Sequence, residues 1–273
     1  MSEFVKDNNG IWVATDQNYS LKYSKEGSEI CEVLEDNDNF WFSHRNNIIL
    51  HAVNAFKFSN NYADIGGGNG FQLLAIKKEI PGPKYYLIEP GYDGCMAARK
   101  RGIDLVYNCV FQEFDFKAAA VNGFGLFDVL EHIPDDEAFL NALYAAMPAD
   151  SYLYITVPTY QFLWNDFDNH GQHQRRYNSR SLKALVKKTP FEVKYFSYFF
   201  SHLVVPTYLL RTLPYNIFGQ SSDEEIIKKS YELNEPAPIT SRVLQSLNNY
   251  ELKRIKSKGK IAFGASGIIV LKK

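Results

Sequence analysis

A short apolar strand that runs straight into a cluster of glycines and then into a helix constrains this chain more than any other stretch. Tyr62 to Ile65 reads as the strand, Gly66, Gly67, Gly68, Asn69 and Gly70 follow, and Phe71 to Glu79 reads as a helix stopped by Pro81, Gly82 and Pro83. The rhythm then repeats. Tyr85 to Ile88 predicts a second strand, Tyr92 to Arg101 a helix with basic residues in its last turn and Gly102 at its stop, and Leu105 to Val110 a third strand. A fourth, Phe124 to Phe127, leads past Pro134 into a helix opened by Asp135, Asp136 and Glu137 and ended near Pro148. Tyr152 to Val157 is a fifth strand, Ser179 to Lys188 a capped helix, Phe191 to Phe196 a sixth strand and Ser266 to Leu271 a closing one. Strands and helices alternating in this way imply an α/β fold with a mostly parallel sheet.

The flanks divide the chain further. Residues 1–59 read as an N-terminal extension: Ile11 to Ala14 and Tyr19 to Tyr23 as a small hairpin, 24–39 as a mobile stretch, and Phe40 to Phe56 as a cap helix with an apolar stripe at Ile48, Ile49, Ala52, Val53 and Phe56. Residues 60–200 form the core, 201–259 a helical insert or lid with a helix from Thr240 to Ile255, and 260–273 the closing strand of the core.

Thirty basic against thirty-one acidic side chains give a formal charge of −1, which excludes the broad basic face of a duplex-binding protein. Three cysteines, Cys31, Cys95 and Cys109, are too few and wrongly spaced for a disulfide framework or a zinc knuckle. The start MSEFVKDNNG lacks the basic patch and apolar run of a signal peptide, so a cytoplasmic location is expected. The longest run free of charge, Tyr195 to Leu210, has 16 residues broken by Ser201, His202 and Pro206, against about 20 needed to span a bilayer, so no integral membrane segment is expected. Twenty Phe, eighteen Tyr and three Trp are densest between Tyr195 and Phe218, where they fill a core, cover a flat apolar acceptor, or face a membrane surface or a second subunit in a homo-oligomer.

The glycine loop sits where backbone must approach a nucleotide closely and side chains would obstruct it. Its spacing is GxGxG, and Phe71 stands where a dinucleotide fingerprint requires a third glycine, which argues against an NAD-dependent oxidoreductase. Twenty-three residues after Gly66, Glu89 ends the second strand, placed to accept hydrogen bonds from the two ribose hydroxyls of an adenosine.

Asp64 to Gly70, Glu89 with Pro90, and Asp128-Val-Leu-Glu-His-Ile133 together resemble the class I S-adenosylmethionine-dependent methyltransferases. Phe40-Trp-Phe with Arg45, Val157-Pro158, Leu163-Trp164 and Gly171-Gln-His-Gln-Arg-Arg-Tyr177 are similar to a bacterial small-molecule branch of that family, of methyltransferase type 11/23. The resemblance runs through most of the chain. It implies a Rossmann-like, seven-stranded sheet whose last strand is antiparallel, with helices on both faces. It also implies S-adenosyl-L-methionine as cofactor, held by Asp64, Gly66, Gly67, Gly68, Gly70, Glu89 and Pro90, with S-adenosyl-L-homocysteine as product. By the same analogy Phe111 and Gln112 flank the adenine and Asp128 lies near the methionine part.

Methyl transfer from a sulfonium is an in-line displacement that depends on holding the partners collinear and dry. A hydroxyl acceptor must also lose a proton, which suits a histidine, and His132, His170 and His173 are the candidates, with His173 and His132 foremost. Asp128, Glu131 and His132, at i, i+3 and i+4, would share one side of a helical turn. Similarity to quinone O-methyltransferases makes that a divalent-cation site. The preferred reading is that Glu131 and His132 only order the loop, with no metal. Trp164, His170, Arg175, Arg176 and Tyr177 follow the fifth strand on the substrate side, where the paired arginines either clamp a carboxylate or phosphate or tie the loop to Asp166 and Asp168. The expected function is methyl transfer to a small-molecule acceptor, with O-methylation favoured. The alternative is a catalytically silent S-adenosylmethionine-binding sensor or scaffold.

Overall fold

The computed structural model describes residues 3–15, 40–222 and 238–273. Nine strands form one sheet: β1 (Phe4–Lys6), β2 (Trp12–Ala14), β3 (Asn61–Ile65), β4 (Tyr85–Ile88), β5 (Leu105–Asn108), β6 (Val121–Phe127), β7 (Tyr152–Pro158), β8 (Glu192–Phe199) and β9 (Ser266–Lys272). They lie in the order β1-β2-β5-β4-β3-β6-β7-β9-β8. Strands β2 to β7 are mutually parallel, while β9 runs antiparallel to both β7 and β8, pairing Ile155 and Phe196 with Ile269. The seven-stranded core is therefore present with its reversed strand, and the chain adds two strands from the N-terminal segment.

Those two strands correct one expectation. Strand β2 pairs antiparallel with β1, which takes the place expected of a later hairpin arm, and parallel with β5. Asp7 makes the turn: its Oδ1 accepts from the amides of Asn9 and Ile11, and Gly10 closes the turn at φ 79°. Residues 16–39, which include that second hairpin arm and the stretch expected to be mobile, lie outside the described residues.

The helices are α1 (Phe40–Ala55), α2 (Phe71–Glu79), α3 (Tyr92–Lys100), α4 (Asp136–Ala146), α5 (Asp166–His170) and α6 (Ser179–Val186), then α7 over 204–218, π-helical across Tyr208–Thr212, and α8 (Pro238–Lys258). Local chemistry starts several of them: the Asp135 carboxylate caps α4 through the Ala138 amide, and Asn178 caps α6 through the amides of Arg180 and Ser181. Tyr62, Phe124, Tyr154 and Phe116 are fully buried in the core, each contributing on the order of 2 kcal/mol of hydrophobic stabilisation. Among the described residues no helix is long and apolar enough to cross a membrane.

Sheet order places the crevice. Strand order reverses between β3 and β6, so the connections leaving their carboxyl ends depart to opposite sides and open a gap there. The glycine loop leaves β3 and Asp128 leaves β6 at that gap.

One buried polar cluster ties α8 to α1 and to the end of β8. His44 Nε2 of α1 lies 2.9 Å from Glu251 Oε1 of α8, and the same carboxylate accepts from the amides of Phe200 (2.6 Å) and Ser201 (2.8 Å) and from the Ser201 hydroxyl. Trp41 stacks on Phe200 with ring centroids 4.0 Å apart, and Asn248 Nδ2 donates to the Phe40 carbonyl. Burial alone would raise the Glu251 carboxyl, but its bonds from His44 and Ser201 outweigh that and hold it below the usual range. Glu251→Ala should cost about 3 kcal/mol, because it strands buried donors. A folded carboxyl that titrates low contributes its stability above the unfolded pKa and loses it as pH falls through the folded value. The gap in urea midpoint between wild type and variant should thus be full at pH 7 and close below about pH 4. Equal midpoints at pH 7 would rule the latch out.

Candidate active site

Glycine at 68 serves space and glycine at 66 serves contact. Gly68 has φ 52°, and a Cβ built on it would meet no atom within 4 Å, so the loop offers bare backbone to open space. A Cβ on Gly66 would lie 2.9 Å from Val129 Cγ2, so the loop packs directly against the segment that follows β6.

Glu89 closes the other side of the loop. Its Oε2 accepts from the Gly68 amide at 2.9 Å and its Oε1 from the Gly91 amide at 2.6 Å. Asn108 Nδ2 donates to the carbonyls of both Glu89 and Pro90, which fixes the strand end that carries the carboxylate. Burial pushes the Glu89 carboxyl up to about 7 despite its two amide donors. Each amide occupies one lone pair, which leaves further acceptor capacity on both oxygens.

Asp64 is fully buried at the end of β3, and neither of its carboxylate oxygens has a hydrogen-bond partner. Burial raises it to about 7, with Arg45 opposing and Glu89 adding to the rise. A buried carboxylate without a donor is costly and commonly marks a place where a ligand supplies one. Phe111 is buried in a single 3₁₀ turn after β5, its ring edge-on to Phe139 at 5.0 Å, while Gln112 beside it is exposed.

Asp128 departs from the expected arrangement. At φ 52° it cannot belong to a right-handed helical turn, and the 3₁₀ turn that follows begins only at Leu130. Its Oδ1 accepts from Thr156 Oγ1 and its Oδ2 pairs with Arg45 Nη1. Asp128, Glu131 and His132 therefore do not form one helical face. Glu131 and His132 are joined instead by His173, the three offering ligand atoms within 4.8 Å of one another, which makes them the described residues able to hold a divalent cation. Glu131 is buried with Oε2 unpartnered, and burial together with Asp128 holds its carboxyl well above the usual range. Burial and the neighbouring His173 push His132 down to about 4, so its ring is neutral at pH 7.

Across the crevice, the loop after β7 is organised by Asp168. This fully buried carboxylate accepts at Oδ1 from His173 Nδ1 (2.8 Å) and Arg176 Nε (2.7 Å), and at Oδ2 from the Asn165 amide (2.9 Å). Burial would raise it, but His173 and Arg176 prevail and hold it low. His173 and His132 meet edge to face with centroids 4.7 Å apart.

The arginines are committed within the protein. Arg175 pairs with Asp136 at 2.8 Å and donates to the Pro134 carbonyl, and Arg176 also reaches the Thr159 carbonyl. Tyr177 is buried with its hydroxyl on Asp136, and Trp164 Nε1 donates to Asn169 Oδ1. His170, half-buried, ends α5. Of the two readings of this loop, the structure shows the tied-down one for Arg175 and Arg176, whose charges meet carboxylates already present. Sequence reasoning saw in Asp168 only a partner for the arginines and missed its capping box with Asn165 and its bond to His173.

A family model for a methyltransferase domain matches residues 41–195, more than half of the chain. Solved structures match over nearly the whole of it at low identity. A SAM-dependent methyltransferase of Thermotoga maritima, described as a possible histamine N-methyltransferase, is 15% identical with a TM-score of 0.54, covering 91% of this chain and 95% of that one. The plantazolicin methyltransferase BpumL with bound S-adenosylhomocysteine gives 12% and 0.52, covering 92% and 91%. Haemonchus contortus phosphoethanolamine N-methyltransferase 2 with bound S-adenosyl-L-methionine gives 17% and 0.53 over 93% of this chain, which spans only 58% of that enzyme's length. At these identities the likeness is one of fold. No curated protein matches the chain.

The raised carboxyls of Asp64 and Glu89 carry a pH signature. A group whose folded pKa lies above its unfolded value contributes stability that is complete below the unfolded pKa and lost as pH climbs through the folded one. The ligand-free protein should therefore lose stability between about pH 4 and 7. Asp64→Asn should flatten that decline in urea midpoints measured across the interval. A wild-type profile that is level there would remove the unpaired charge from the account.

Proposed function

The chain belongs to the methyltransferase domain family, and we propose that it transfers a methyl group from S-adenosyl-L-methionine to a hydroxyl of a small acceptor. The observation that carries the donor half is the open backbone of Gly68 held between the buried carboxylates of Glu89 and Asp64. Glu89 has lone pairs left for ribose hydroxyls, and Asp64 has a vacant pair of oxygens suited to an ammonium group. Gly66, Gly67 and Gly70 hold the loop in that shape, Pro90, Phe111 and Gln112 flank the adenine, and Asp128 lies on the amino-acid side. When bound, S-adenosyl-L-methionine supplies a methyl group on a positively charged sulfur and leaves as S-adenosyl-L-homocysteine.

His173 supports O-methylation. Its Nδ1 faces Asp168, which orients the ring and leaves Nε2 as the atom to take the acceptor's hydroxyl proton. Asp168 then stabilises the imidazolium without itself being protonated, since its own carboxyl is held low. His132, kept neutral by burial, stands edge-on to that ring and does not compete with it for charge. Trp164, His170, Arg175, Arg176 and Tyr177 shape the acceptor side, with the helices of 201–259 as its cover and 60–200 with 260–273 as the catalytic core. Thr212 Oγ1 donates to the Leu163 carbonyl and Asn169 Nδ2 to the Tyr215 hydroxyl, so the cover is fastened to the loop that carries the base. A closed cover excludes water from the transfer.

Glu89→Ala should weaken S-adenosylhomocysteine binding by about 1–3 kcal/mol in calorimetry, the cost of losing hydrogen bonds to a charged acceptor. Unchanged affinity would take Glu89 out of the site. His173→Asn should cut methyl transfer in a labelled-donor assay against small-molecule pools while leaving that affinity in place. Full turnover would leave the base elsewhere.

A further inference from the structure

Among the described residues, Arg211 has its guanidinium paired with no carboxylate. It lies in the π-helical stretch of α7, a geometry frequent at functional sites, and its guanidinium sits over the Phe167 ring at 4.4 Å. Among the described residues no carboxylate comes within ion-pairing distance of it. The nearest acidic influence is Asp168, and that carboxylate already serves His173, Arg176 and the Asn165 amide. Arg176 adds a second positive charge beside it, and burial together with Arg176 pushes the Arg211 guanidinium down to about 10.

The placement is held. The next residue, Thr212, is fully buried with its hydroxyl on the Leu163 carbonyl, and Tyr215 one turn on is bonded to Asn169. A partly desolvated guanidinium fixed in place without a counter-ion is unfavourable unless an anion completes it. Planar guanidinium donors match the two oxygens of a carboxylate or phosphate. Contacts run from this charge to the donor loop without a break: Phe167 adjoins Asp168, Asp168 holds His173, His173 meets His132, and the segment 128–132 packs through Val129 on Gly66.

We propose that Arg211 binds an oxyanion of the methyl acceptor, a carboxylate or a phosphate, over the ring of Phe167. The assignment deepens the proposed methyl transfer and rests on it for the word acceptor, but the anion site can be tested by itself. The full chain, with and without saturating S-adenosylhomocysteine, is titrated with inorganic phosphate and separately with acetate, against chloride at equal ionic strength, with thermal unfolding as readout. At least one anion should raise the wild-type midpoint saturably. Which one does so distinguishes a phosphoryl from a carboxyl group. Its apparent affinity should fall about ten- to hundredfold in Arg211→Met and by less in Arg211→Lys, which keeps the charge but not the planar fork, while calorimetry shows the same S-adenosylhomocysteine affinity in all three. No saturable response to either anion, an undiminished response in Arg211→Met, or loss of S-adenosylhomocysteine binding in that variant alone would overturn the proposal. Failure of wild type to bind S-adenosylhomocysteine, with the anion response intact, would instead sink the methyl-donor reading and leave the oxyanion site standing.

Discussion

The bond from the Gly68 amide to the Glu89 carboxylate is the interaction on which the site depends, because it joins two consecutive βα units at their carboxyl edge. A buried carboxylate keeps its charge only if donors meet it, and here the donors are amides of the loop it helps to shape. Loop and strand end are thereby set before a ligand arrives. Asp64, one strand away and equally buried, has no such donor. The contrast separates a carboxylate tied into the loop from one buried without a donor.

A second contrast lies in the loop after β7. Asp168 gathers His173, Arg176 and Asn165 around one carboxylate, so a histidine, an arginine and a helix start share a single anchor. Such sharing fixes the imidazole and commits the Asp168 carboxylate, while among the described residues Arg211 has no carboxylate paired with it. Charge balance rather than any single bond thus gives the two halves of the crevice their different characters.

Much of this was legible in residue order. Phe71 to Glu79 and Tyr85 to Ile88 read correctly to the residue because glycine and proline bracket them. Strand β6 was read only from Phe124, since Asn122 and Gly123 look like turn residues in a list of letters. In the fold the strand's glycines make room: a Cβ on Gly123 would lie 2.6 Å from the Phe58 ring and one on Gly125 would lie 2.5 Å from the Tyr62 hydroxyl. At the edge, Ile11 to Ala14 read as a strand and holds β2, while β1 was missed because its three residues are too short a run to show alternation. At the site, spacing suggested a helical turn through Asp128, and the positive φ that prevents it leaves no mark in a non-glycine residue. Arg211 was invisible because its interest comes from its place over Phe167 and beside Arg176, which residue order does not show.

Strand β9 lies between β7 and β8, and the helical cover is the excursion made between β8 and its own neighbour. Both ends of that excursion are stapled side by side by a ladder of main-chain bonds, and closing a longer detour between fixed ends costs little, since the entropy grows only with the logarithm of its length. Changes of length can therefore be tolerated between β8 and β9 where they spare the anchors at Glu251, Thr212 and Tyr215. Descendants of one ancestor could keep the same donor chemistry while diverging in what they modify.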